Sequence, residues 1–167
     1  MDLVLGALIG AAATLTISVI QRRWSKQDEA AMSVKIKSQR ADQRSEEAAG
    51  QIVDLADLLR EGFYERMADG YINNDGPVGS PDLERAIVSQ AARLTSQEAR
   101  ERIETATYVA GSAEAIQYRT GNQQGQIGWR VGKEIREVAG AILRNEPIPP
   151  CLIEDFVEVW ELLGQYD

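Results

Sequence analysis

The chain has no histidine, and Cys151 is its one cysteine in 167 residues. Without histidine there is no Ser–His or Cys–His nucleophilic pair, no imidazole for a metal, and no ordinary general base near neutral pH. A single cysteine excludes an intramolecular disulfide and a thiolate zinc framework, and it fits a reducing compartment. No stretch alternates polar and apolar residues with the period of two that a half-buried strand needs. Positive charge is also short: 18 Lys and Arg stand against 26 Asp and Glu, a net charge of −8. An acidic chain lacks the field that displaces counterions from phosphates, so nucleic acid is not an expected partner. These absences leave no catalytic, cofactor-binding or metal-binding residue to nominate, and the chain reads as no enzyme.

What the chain does have stands at its start. Residues 3–20, LVLGALIGAAATLTISVI, carry no charge. As a helix the run spans about 27 Å, close to the hydrocarbon core of a bilayer. Asp2 is the one charge before it, whereas Arg22, Arg23 and Lys26 crowd its C-terminal end. Positive charge stays on the cytoplasmic side, so these three are topology determinants that put the N-terminus outside and the rest of the chain in the cytoplasm, on a cell (inner) membrane. A cleaved signal peptide wants its basic residues ahead of the run and small residues at the cleavage site, where this chain has Val19 and Ile20. A buried core helix would show a polar face, and the run has none.

Gly6, Gly10, Thr14 and Ser18 recur every four residues and form one strip of small side chains along this helix. Such a strip lets two backbones approach closely, so it is a candidate packing face between spans.

Charge then divides the rest of the chain. Residues 21–50 carry seven basic and five acidic side chains, and residues 51–167 carry eleven and twenty. The predicted organisation is a transmembrane anchor over 1–23, a polar helical stalk over 24–50, and an acidic cytoplasmic bundle over 51–167. A heptad seam runs through the stalk at Trp24, Ala31, Ser38, Ser45, Ile52 and Leu59, with Val34, Ala41, Ala48 and Leu55 between them. It fits a parallel dimer, and a solvated single helix fits it equally well.

The bundle reads as about five helices, so the fold class is all-α. Ile52, Leu55, Ala56, Leu59, Phe63 and Met67 give the first apolar stripe, ending near Asp69-Gly70. Turn formers fill residues 71–81, and Ser80-Pro81 opens a helix with Leu83, Ala86, Ile87, Ala91 and Leu94 inside. Thr95-Ser96-Gln97-Glu98 is a capping box for a helix expected to run to Thr120, with an alanine-lined face. After the glycines of residues 121–128 a helix carries Ile127, Val131, Ile135, Val138 and Ile142 and stops at Asn145. A last helix opens at Pro149-Pro150 and ends at Gly164.

Four groups of residues invite a chemical reading. GNQQGQIGWRVGK, residues 121–133, has glycines ahead of Arg130 and Lys133, as a phosphate cradle would; it lacks the spacing and the Ser or Thr of a P-loop. Asp54, Asp57, Glu61 and Glu65 share a helix face, which reads as solvated surface in the absence of histidine. Phe156, Trp160 and Leu163 are spaced as anchors for a partner's groove, and equally as the inner face of a last helix. Cys151 stands near a helix N-terminus without a base.

The functional expectation is therefore a single-pass interaction or scaffold protein that holds an acidic helical domain at the cytoplasmic membrane face. Its partners are the lipid bilayer and either another protein or further copies, with a dimer favoured. Two other classes remain open: a membrane-active oligomer that forms a pore or lesion, and a ligand- or nucleotide-binding domain using the loop of residues 121–132.

Overall fold

A computed structural model describes residues 31–63 and 81–164. The uncharged run with Gly6, Gly10, Thr14 and Ser18, the cations Arg22, Arg23 and Lys26, and the loop of residues 71–80 lie outside these. The described residues form six helices and no strand, and none of these helices is long and apolar enough to cross a membrane. The chain divides into two units, residues 1–41 and 42–167. In the first, residues 31–41 are helical and exposed throughout, including Met32, Val34 and Ile36.

Helix α1 occupies residues 31–63, and its residues 42–63 open the second unit. Packing starts at Ser45, ahead of residue 51, because Ala48 and Ala49 are already fully buried. The heptad positions from Ser45 to Leu59 thus face the interior of this unit, where Ile52, Ala56, Leu59 and Phe63 continue the stripe. Ser45 is kept in an apolar setting by its hydroxyl, which accepts the Thr95 backbone N–H at 3.1 Å. Helix α2, Pro81–Ala91, buries Ile87 and Ala91.

Helix α3, Gln97–Gly111, is capped by Ser96, whose hydroxyl accepts the Ala99 N–H at 3.2 Å. The cap is one residue later than the Thr95 box, since Thr95 is engaged with Ser45. The long helix expected to reach Thr120 breaks at Ser112, and α4 spans Ala113–Thr120. The Gly111-Ser112 pair allows this: Ser112 takes φ −100° and ψ 12° while its N–H still bonds the Tyr108 and Val109 carbonyls. Gly121, at φ 72°, ends α4 in the left-handed region that glycine tolerates.

Helix α5, Gln124–Arg144, starts three residues before Ile127 and ends at Asn145 in the left-handed conformation, φ 53°. Gly125, Gly128 and Gly132 therefore lie inside the helix and are buried. The absent side chains of Gly128 and Gly132 admit α1: a Cβ at Gly128 would stand 2.0 Å from Phe63 Cγ, and one at Gly132 2.3 Å from Arg60 Cγ and 3.3 Å from the Ala56 carbonyl. Ile127, Val131, Ile135 and Val138 are buried in one core with Ile103, Ala106 and Ala110 of α3, against which α5 packs. Burying each Ile or Val contributes about 1.5–3 kcal/mol.

Helix α6, Glu154–Leu163, begins later than Pro149 because residues 146–153 are held in a nonhelical path. Its Phe156 is fully buried, and Ile153 before it is 1% exposed.

Gly128→Ala is expected to destabilise the bundle by about 1–3 kcal/mol, since Phe63 must move to admit a methyl group. Gly50→Ala, with nothing within 4 Å of the added carbon, should stabilise it by about 0.5–1 kcal/mol. Urea denaturation of the two variants beside the parent checks both signs.

Candidate functional site

Helix α6 is placed by two arginine clusters. Glu134 of α5 is 1% exposed and forms an ion pair with Arg102 of α3. Its second oxygen accepts the Leu152 N–H at 2.9 Å, and Arg102 donates to the Pro149 carbonyl at 2.6 Å. Three elements, α3, α5 and the approach to α6, so converge on one buried carboxylate. Arg130 completes the attachment. It grips both Asp155 oxygens at 2.6 and 2.9 Å, donates to the Leu152 carbonyl at 2.6 Å, and lies 4.2 Å over the Phe156 ring.

Between α4 and the C-terminal half of α6 this arrangement leaves a groove of about 810 Å³. Gly111, Ser112 and Ala115, at and after the α3–α4 break, line it together with Tyr118, Trp160 and Leu163. Tyr108 stacks on Trp160 with ring centroids 6.0 Å apart and planes 4° apart, which fixes the indole. Tyr118 is 89% exposed, so a large aromatic surface stands free here. Glu114 and Arg119 of α4 also line the groove. Among the described residues no cation pairs with Glu114, Glu158 or Glu161.

The residues singled out from sequence distribute as follows. Phe156 belongs to the core, whereas Trp160 and Leu163 are half-buried against it and also line the groove. Of the glycine-rich stretch only residues 121–123 lie between α4 and α5; Gly125 is buried in α5, and Gly128 and Gly132 face α1. Arg130 is committed to Asp155, and Lys133 lies 5.4 Å from the Trp129 ring centroid, which Arg60 approaches to 5.8 Å. Asp57 pairs with Arg60 at 3.2 Å and with Arg136 at 3.3 Å. Asp54 and Glu61 are exposed, and no cluster of three metal-ligating side chains occurs among the described residues. Cys151 is exposed and free. Sequence reasoning missed Tyr108, Tyr118, Arg102 and Glu134. Tyr108 and Tyr118 sit off the apolar stripes that mark helix interiors. Arg102 and Glu134, 32 positions apart, give no local sign of pairing.

Glu84 of α2 packs over Gly111, where an added Cβ would stand 3.2 Å from its Oε2. Burial raises its carboxyl above the ordinary value of 4.5.

Fold and groove together define a small all-helical bundle protein with an open apolar cleft. Compared with protein-family models, with curated proteins and with solved structures, the chain finds no match.

Arg102→Met is expected to cost about 3–5 kcal/mol by leaving the Glu134 carboxylate buried without its cation, and Arg102→Met with Glu134→Leu should cost clearly less. Thermal melts of the three proteins test this. Glu84 titrates higher when folded than when unfolded, so its ionised form weakens the fold above the raised value. Glu84→Gln should therefore stabilise the chain at pH 7, and the gain should vanish as the pH falls to the ordinary value of 4.5. Melting curves of parent and variant across pH 4–7 measure this difference.

Proposed function

We propose that the chain is a single-pass membrane protein that holds an acidic helical bundle at the cytoplasmic face, where the bundle binds another protein. The observation that carries this reading is the uncharged run 3–20 closed by Arg22, Arg23 and Lys26. The division of charge supports it. Residues 21–50 are net +2 beside the membrane, and residues 51–167 are net −9, so an anionic leaflet repels the bundle and keeps its surface accessible. The exposed aromatic groove supports a binding role, and the lack of histidine favours binding over catalysis. The strip of Gly6, Gly10, Thr14 and Ser18 adds self-association of the spans to this reading.

Cys151 offers the direct test, because it is the one cysteine and it is exposed. The full chain should remain in the membrane pellet at alkaline pH, and a chain lacking residues 1–20 should not. A membrane-impermeant maleimide should label Cys151 only after the cells are permeabilised. Labelling of intact cells would reverse the orientation, and recovery of the full chain in the soluble fraction would end the anchor. Gly6→Leu with Gly10→Leu should abolish self-crosslinking in native membranes if the strip joins the spans.

A further inference from the structure

We propose that Glu146-Pro147-Ile148-Pro149-Pro150 is a preformed proline ridge that docks into an aromatic-lined groove of another protein, with Arg144 beside it meeting a carboxylate at the groove's rim. The inference rests on the interaction-protein reading above and names the surface and the chemistry of its partner. Proline fixes φ at about −65°, and each residue ahead of a proline is pushed to extended ψ. Glu146, Ile148 and Pro149 each precede a proline, which favours the polyproline II path along the whole stretch. Three of its five residues have no N–H, and residues 146–150 form no helix and no turn. Polyproline II turns once per three residues, which sets Pro147 and Pro150 on one face and Ile148 on another. The structure divides them the same way: Pro147 and Pro150 are exposed, while Ile148 packs against the core.

Both ends of the ridge are pinned. Asn145, left-handed at φ 53°, closes α5 and lets the Glu146 N–H bond the Ala141 carbonyl at 2.9 Å. The Pro149 carbonyl accepts from Arg102 at 2.6 Å, and the Leu152 N–H donates to Glu134 at 2.9 Å. An extended segment fixed in this way has little conformational entropy left to lose on binding. It offers a partner proline rings to pack on and carbonyls to bond. Tryptophan and tyrosine supply a ring face for the first and an N–H or O–H donor for the second, so an aromatic groove fits the ridge. The cation beside the ridge is Arg144, whose Nε lies 2.6 Å from Glu146 Oε2. These side chains are 52% and 54% exposed, so their pairing is weak and a partner's carboxylate competes for the guanidinium.

The test uses the full chain in phosphatidylcholine nanodiscs, with empty nanodiscs as the blank. The probes are fluorescently labelled SH3 and WW domains, whose aromatic grooves take polyproline ligands. Fluorescence anisotropy should show saturable binding of at least one domain. Pro147→Ala with Pro150→Ala should weaken that binding about tenfold. Arg144→Gln keeps the prolines and tests the same surface; it should weaken binding and flatten its salt dependence. Glu146→Gln releases Arg144 from its pair and should tighten binding about threefold. Pro81→Ala, at an exposed proline on α2, should leave binding unchanged. Absence of binding by every domain would overturn the proposal. So would binding that the double proline variant and Arg144→Gln both leave unchanged, or that Pro81→Ala weakens equally. A chain that stays in the membrane pellet yet binds no domain fails this proposal and not the anchor; a soluble chain that binds one through the ridge fails the anchor alone.

Discussion

The path of the chain between α5 and α6 depends on one buried carboxylate. Glu134 lies at the 1% exposed centre of the contact between α3 and α5, where an unpaired charge would cost several kcal/mol. Arg102 neutralises it, and the pair is tied to the approach to α6 by the Leu152 N–H, which donates to Glu134, and the Pro149 carbonyl, which accepts from Arg102. A hydrophobic pair of the same volume would hold α3 and α5 together equally well. It would not dictate where Pro149 and Leu152 go, because apolar contact has no direction and a hydrogen bond does. The direction given to residues 149–152 sets the start of α6, and the start of α6 sets where Trp160 and Leu163 meet α4.

A second constraint is steric. Gly128 and Gly132 carry no side chain where α1 crosses α5, and Phe63 and Arg60 occupy the space. The same four-residue spacing separates Gly6 from Gly10 in the uncharged run. Spacing alone therefore does not tell a membrane-packing motif from a close helix contact inside a bundle; the polarity of the surrounding residues is the further signal. Around Gly128 and Gly132 stand Trp129, Arg130 and Lys133, whereas the residues around Gly6 and Gly10 are uncharged.

Electrostatics follows from how few cations the bundle has and how they are used. Arg60, Arg102, Arg130 and Arg136 are all committed to carboxylates, three of them across elements. With eleven basic side chains against twenty acidic over residues 51–167, such pairing leaves unpaired acid behind. Part of that surplus lies along α6, at Glu154, Glu158 and Glu161.

The all-α class, the inner stripes of α1, α2, α3 and α5, and the stops at Gly121, Asn145 and Gly164 were legible in the sequence. Each depends on residues within a turn or two of one another: periodicity of 3.6, a cap, or a glycine past the last turn. The uncharged run and its flanking cations are equally local, which is why the proposed anchor can be read without any fold. Only tertiary structure decided the rest. The shift of the α3 cap to Ser96 and the late start of α6 come from contacts between distant segments, Thr95 with Ser45 and Leu152 with Glu134. The groove is of the same kind. Tyr108 and Tyr118 lie on exposed faces that periodicity assigns to solvent; Tyr108 meets Trp160, and Tyr118 lines the same groove, because the packing of three helices brings them there. Local sequence encodes the helices through short-range backbone hydrogen bonding, whereas packing of apolar faces and paired charges, which acts between residues far apart in the chain, decides where those helices meet.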